Sequence, residues 1–204
     1  MLRVPPRLEL QMLSFLTFSA PNTRPDNDPS ALWALQNVIL QHAQSLLGPR
    51  NPSKILYHPV FDADGPIVCN TPNLDGGFAK LGIRSIDSWP VALEQLSHET
   101  VHLLHPIPGM ASWLEEAVAV EFSNHCCDLA NAPRAHLSGN YFVALAEARR
   151  LNVDLFDLTK RLRKNGEVQL SSISASDLAL AVQSLGGECD LELAEFLTSK
   201  FHGR

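Results

Sequence analysis

Apolar residues recur at helical spacing over 30–47. Leu32, Leu35, Val38, Ile39, Ala43 and Leu46 fall on one side, and Gly48-Pro49 ends the run. The pattern then shortens. "KILYHPVF" (54–61) and "GPIVCN" (65–70) are brief apolar runs bounded by Pro, Gly, Asn and Asp, and "GGFAKLGIRS" (76–85) alternates imperfectly. All three read as strands. Helical spacing returns at "DSWP" (87–90). Asp87 or Ser88 serves as cap, Pro90 fits the first turn, and the helix runs to His105 before Pro106. A second helix starts at Ser112 and runs through "WLEEAVAVEFSNHC", and four more are expected at about 138–151, 154–164, 176–185 and 190–201. Asp177 and Asp190 sit near the starts of the last two. Upstream, the polar, proline-rich stretch 21–30 separates an N-terminal segment, read as a strand, from the first helix.

This order predicts an α+β fold. A small mixed sheet precedes a long helix bearing the candidate chemistry, and a mostly helical C-terminal part follows. Residues 1–29 are read as N-terminal segment and linker, and 30–204 as one domain, with its strands in 30–105 and helices over 106–204.

Composition changes this picture little: 45% hydrophobic and 19% charged residues are ordinary for a globular chain. Charge excludes more. A net charge of −6 argues against a general binder of nucleic acid or anionic membrane. The basic run "KRLRK" (160–164) reads as a solvated helix face or end. Four cysteines, Cys69, Cys126, Cys127 and Cys189, form no CxxC pair. They are expected to be free thiols in a cytoplasmic protein. Pro5, Pro6, Glu9 and Gln11 break the layout of a signal peptide, which leaves secretion as the alternative.

The candidate chemistry lies in "LSHETVHLLHP" (96–106). His98 and His102 are one helical turn apart, so both rings project from one side and can converge on an ion. Glu99 lies beside the first of them, placed to reach the water that such an ion activates. A chance HExxH match in a chain of this composition is about a 2% event. A catalytic zinc usually takes three protein ligands, so a third is needed. His105 stands too far along the helix and is read as a capping or outer residue. Ser112-x-x-Glu115 has the form of a capping box, which gives Glu115 a local task. Glu116 shares an apolar face with Trp113, Ala117 and Val120, where a carboxylate needs a partner or a metal. Glu116 is the expected third ligand.

"HETVH" followed by "WLEEAVA" resembles the gluzincin metallopeptidases, which carry HExxH and a glutamate on the next helix, often within W-L-x-E-G-x-A. The motif match covers about residues 88–122. The resemblance implies a zincin-like fold and one Zn²⁺ held by His98, His102 and Glu116. It further implies hydrolysis of a peptide or protein substrate with Glu99 as general base. It places "GGFAKLGI" as the edge strand of the substrate cleft. Ala117 stands where the family commonly has Gly, and only thirteen residues separate His102 from Glu116, so the connecting loop is trimmed. In related enzymes a Tyr or His from a downstream helix stabilises the oxyanion. Tyr141, His136 and His125 are the candidates, with Tyr141 preferred. Asn124 or Asp128 would orient a ligand imidazole. "FDAD" (61–64) reads as a turn. The alternative function is a non-catalytic binding or regulatory protein on the same scaffold.

Overall fold

A computed structural model describes residues 19–134 and 139–202. The strand read for the N-terminal segment falls on residues 1–18 and lies outside them. The described residues form seven α-helices and one small sheet, a mixed α and β architecture.

Helix α1 spans Pro29–Leu47. Asp28 starts it by accepting the Ala31 N–H at 2.9 Å, and Gly48, at φ +89°, ends it. Leu32, Leu35, Ile39, Ala43 and Leu47 are buried as the spacing requires, while Val38 and Leu46 are half-buried. Two polar side chains, Gln36 and His42, are buried on the same helix. Gln36 donates to Thr100 Oγ1 at 2.8 Å and so ties α1 to the helix that carries the motif.

The strands are β1 (Ile55–Leu56), β2 (Val60–Asp62), β3 (Ile67–Asn70) and β4 (Gly76–Gly82). The expected strand 54–61 is therefore split. His58-Pro59 interrupts it, because proline offers no N–H to the ladder and the His58 ring turns to stack on Trp33 at 4.2 Å. The two pieces pair parallel with one edge of β4, Leu56 with Gly77 and Val60 with Lys80, so the interruption holds one extra residue. Strand β3 pairs antiparallel with the other edge, Ile67 with Lys80 and Asn70 with Gly77. Thus "GGFAKLGI" is the central strand, and the edge strand is β3; this corrects the expectation from the motif. The strand also ends early, at Gly82, where the Ile83–Ser85 turn of 3-10 helix begins. Ala79 and Leu81 face the core.

Helix α2 spans Trp89–Leu103. Ser88, rather than Asp87, is the cap, and Pro90 lies in the first turn. The helix stops before His105, since Pro106 disfavours helical conformation at the residue ahead of it. Helix α3 (Trp113–Leu129) is the centre of the fold. Its apolar residues are buried on every side, from Leu114 and Val118 to Ala119 and Phe122. It packs on α2, α4 (Gly139–Arg149), α5 (Leu155–Leu162) and α7 (Leu191–Thr198), while α6 (Ala175–Ser184) pairs with α7. A helix with so much buried apolar surface belongs in the middle of such a bundle. Asp154 and Asp190 cap α5 and α7, whereas Ser174, not Asp177, caps α6. The last helix ends at Thr198, short of 201. Residues 199–201 turn back along the chain around Ser112, with Trp113 N–H donating to Ser199 O and Phe201 N–H to Ala111 O. One continuous core runs through all these elements.

The basic run 160–164 departs from its expected solvated role at one residue. Lys160, Arg161 and Lys164 are exposed, but Arg163 is buried. Its guanidinium donates to the carbonyls of Leu47 and Gly48 at 2.9 Å and of Pro49 at 3.0 Å, with Leu104 O at 3.4 Å. These carbonyls lie at and just beyond the ends of α1 and α2, and Leu104 O also accepts the Asn51 N–H at 2.8 Å. Burial lowers the Arg163 pKa to about 10, against the pull of the Glu115 charge, and the carbonyls it donates to satisfy its N–H groups.

Candidate metal centre

Helices α2 and α3 lie side by side, and their facing turns bring three ligand types to one point. His98, His102 and Glu116 each offer one donor atom, all within 4.8 Å of one another. His98 Nε2 is 3.2 Å from Glu116 Oε2, and His102 Nε2 is 3.7 Å from Glu116 Oε1. Donors about 2 Å from one tetrahedral ion sit about 3.3 Å apart, so these separations suit an ion between them. The side chains are largely shielded, at 17%, 15% and 11% exposure, which raises the cost of leaving Glu116 uncompensated. This group can hold a metal ion.

The helical spacing explains the convergence. His98 and His102 are four residues apart on α2, with rings 5.3 Å apart, and Glu116 faces them from the first turn of α3. Electrostatics follow from the packing. Burial opposes protonation of His102, but Glu116, Glu115 and Glu99 outweigh it and push its pKa up to about 10. Burial likewise opposes ionisation of Glu116, and the two imidazoles overcome that, so its carboxyl titrates below the usual glutamate range. The pocket is built to balance positive charge with carboxylates.

Glu115 does not complete a capping box. Ser112 Oγ does accept the Glu115 N–H, at 3.2 Å. The Glu115 carboxylate, however, turns to His102 Nδ1 at 2.8 Å and accepts the Ser171 hydroxyl. The Ser112 N–H goes instead to Ser171 Oγ, at 2.8 Å. Glu115 thus occupies the orienting place expected of Asn124 or Asp128, and Asp128 pairs with Arg134. Sequence reasoning missed Ser171, 56 residues from Glu115, because no local pattern marks it. His105 is separate from the ligand group and lies 3.0 Å from Asn51 Nδ2 through its Nε2.

The three ligands open onto a cleft of about 250 Å³. It is lined by Ile67, Val68 and Asn70 of β3, by Glu99, by residues of the loop after α2 such as Pro106, Ile107 and Met110, and by Gln169. Tyr141 and Phe201 complete the lining. Glu99 is buried, with 4% exposure. The Tyr141 ring stands edge-on to His98 at 5.7 Å and leans on Phe201 at 5.2 Å. Of the other oxyanion candidates, His125 is stacked on His42 away from the cleft, and His136 lies outside the described residues. In "FDAD", Asp62 pairs with Lys80 and accepts the Asp64 N–H, as a turn would.

All four cysteines are free thiols. Among the described residues no helix is long and apolar enough to cross a membrane. No protein-family model, curated protein or solved structure matches the chain.

Proposed function

We propose that the chain is a zinc-dependent peptidase of the gluzincin type on a minimal zincin-like fold. The observation that carries this reading is the meeting of His98, His102 and Glu116 at 4.8 Å or less, in a cleft that also contains Glu99. Two imidazoles and one carboxylate are a donor set suited to zinc, with a position left over for water or substrate. When bound, a divalent ion there supplies Lewis acidity to a carbonyl oxygen and eases ionisation of water.

The remaining work falls to the chain. Glu99, next to His98 and turned into the cleft, accepts the proton of the attacking water and passes it to the departing amine. Tyr141, on α4 beside His98, donates to the oxyanion that forms as water adds. The Phe201 ring behind Tyr141 fixes its position. Ile67, Val68 and Ile107 give the cleft apolar walls that suit a peptide or protein substrate. A cytoplasmic location belongs to the same proposal and is supported by the free thiols. The net charge of −6 supports a substrate other than nucleic acid and a site of action away from anionic membranes.

The metal content of the purified chain tests this reading. Mass spectrometry of the native protein is expected to find one zinc per chain in the wild type, and none in Glu116→Ala or His98→Ala after dialysis against metal-free buffer.

A further inference from the structure

The chain of hydrogen bonds behind His102 has a fixed direction. The Ser112 backbone N–H can only donate, so Ser171 Oγ accepts it. The Ser171 hydroxyl hydrogen is then directed to Glu115 Oε2. A carboxylate accepts on both oxygens, so Glu115 Oε1 draws the hydrogen of His102 Nδ1, at 2.8 Å. With Nδ1 held as the donor, Nε2 is the nitrogen left to bind an ion. That is the nitrogen facing Glu116. Glu115 itself is buried, at 5% exposure, and both of its oxygens are engaged, Oε1 by His102 Nδ1 and Oε2 by Ser171.

We propose that Glu115 and Ser171 are positioning residues that act through His102: they lock its ring with Nδ1–H held and Nε2 free, and so set the affinity of the centre for a divalent cation. The inference rests on the metal reading above and adds a second layer to it. A residue expected to cap a helix serves the site instead, and a serine in the Leu170–Ser172 turn, far along the chain, becomes part of it. The same turn is joined to the cleft wall by Gln169. The C-terminal half of the fold therefore reaches the metal centre by one hydrogen-bonded route.

The test is a zinc titration of the full chain against a chromophoric chelator. Outer hydrogen-bond partners of metal ligands typically govern about 10–100-fold in affinity, and Glu115→Ala is expected to lose that much. Glu115→Gln keeps an oxygen that can accept from Nδ1–H and should lose less. Ser171→Ala should weaken binding in the same direction by a smaller factor; should Glu115→Ala fail to fold, this variant carries the test. Asp190→Ala removes the cap of α7, outside the relay, so it should lower Tm and leave zinc affinity unchanged. Nitrogen-15 NMR of the zinc-loaded wild type should show His102 ligating through Nε2 with Nδ1 protonated. Zinc affinity within about twofold of wild type in Glu115→Ala, or in Ser171→Ala should Glu115→Ala fail to fold, or ligation through Nδ1, would overturn the proposal while the metal reading stood. A wild-type chain that binds no zinc would overturn the metal reading and the relay with it.

Discussion

Buried His42 and half-buried His125 form a pair whose stability must depend on pH. His42 lies on α1 and His125 on α3, with Nε2 atoms 3.0 Å apart and rings stacked at 5.1 Å. One proton between two nitrogens makes a hydrogen bond, and a second proton makes a repulsion. Burial first, then the charge of His125, lowers the His42 pKa from 6.5 to about 4. The His125 pKa is lowered too, by burial, although Asp128, Glu121 and Asp154 pull the other way. In the unfolded chain both imidazoles take up protons near pH 6.5. Between there and about pH 4 the unfolded state binds more protons, so stability falls as pH falls. A shift from 6.5 to about 4 for His42, at about 1.4 kcal/mol per unit, corresponds to about 3 kcal/mol. That contribution is complete above the unfolded value and gone below about pH 4. Urea denaturation followed by circular dichroism at several pH values, in a chelator, measures it. His42→Leu keeps an apolar side chain of similar bulk and removes the titration. Between pH 7 and pH 4 the wild type should lose about 3 kcal/mol more than the variant, with carboxylate titration common to both. A difference below about 1 kcal/mol would refute the reasoning.

Two further outcomes follow from single side chains. Arg163→Ala strips four carbonyls of their common donor and should cost about 3 kcal/mol, or about 6–12 °C in Tm by thermal melting. Tyr141→Phe keeps the packing on Phe201 and His98 but removes the hydroxyl. On the proposed mechanism kcat for peptide cleavage falls about 10²–10³-fold with KM and Tm near wild type, and an unchanged kcat would remove Tyr141 from the chemistry.

How much of this was legible beforehand depended on the range of the forces involved. The helices on which the site rests were readable because their apolar spacing and caps are local, as with Leu32 to Ala43 on α1 and Ser88 ahead of α2. The grouping of His98, His102 and Glu116 was also readable, since one helical turn and one buried carboxylate define it. Sheet order was not. Whether β4 is a central or an edge strand depends on β1, β2 and β3 pairing with it, and periodicity within a strand carries no record of its neighbours. The task of Glu115 was misread for a related reason. A capping box and an outer carboxylate look alike in sequence until Ser171 and His102 arrive from elsewhere in the chain. Arg163 was taken for a surface charge because its partners are backbone carbonyls, which no residue code displays.

In the proposed function Glu99 acts as the base of a zinc-assisted hydrolysis. Cleavage of a peptide library by zinc-loaded wild type and Glu99→Gln, with metal content measured on the same samples, tests it most directly. One zinc in both proteins, with cleavage by the wild type and a loss on the order of 10²–10⁴-fold in the variant, is the predicted result. Wild-type protein without stoichiometric zinc, or zinc-loaded wild type that cleaves no peptide in the library, would contradict it.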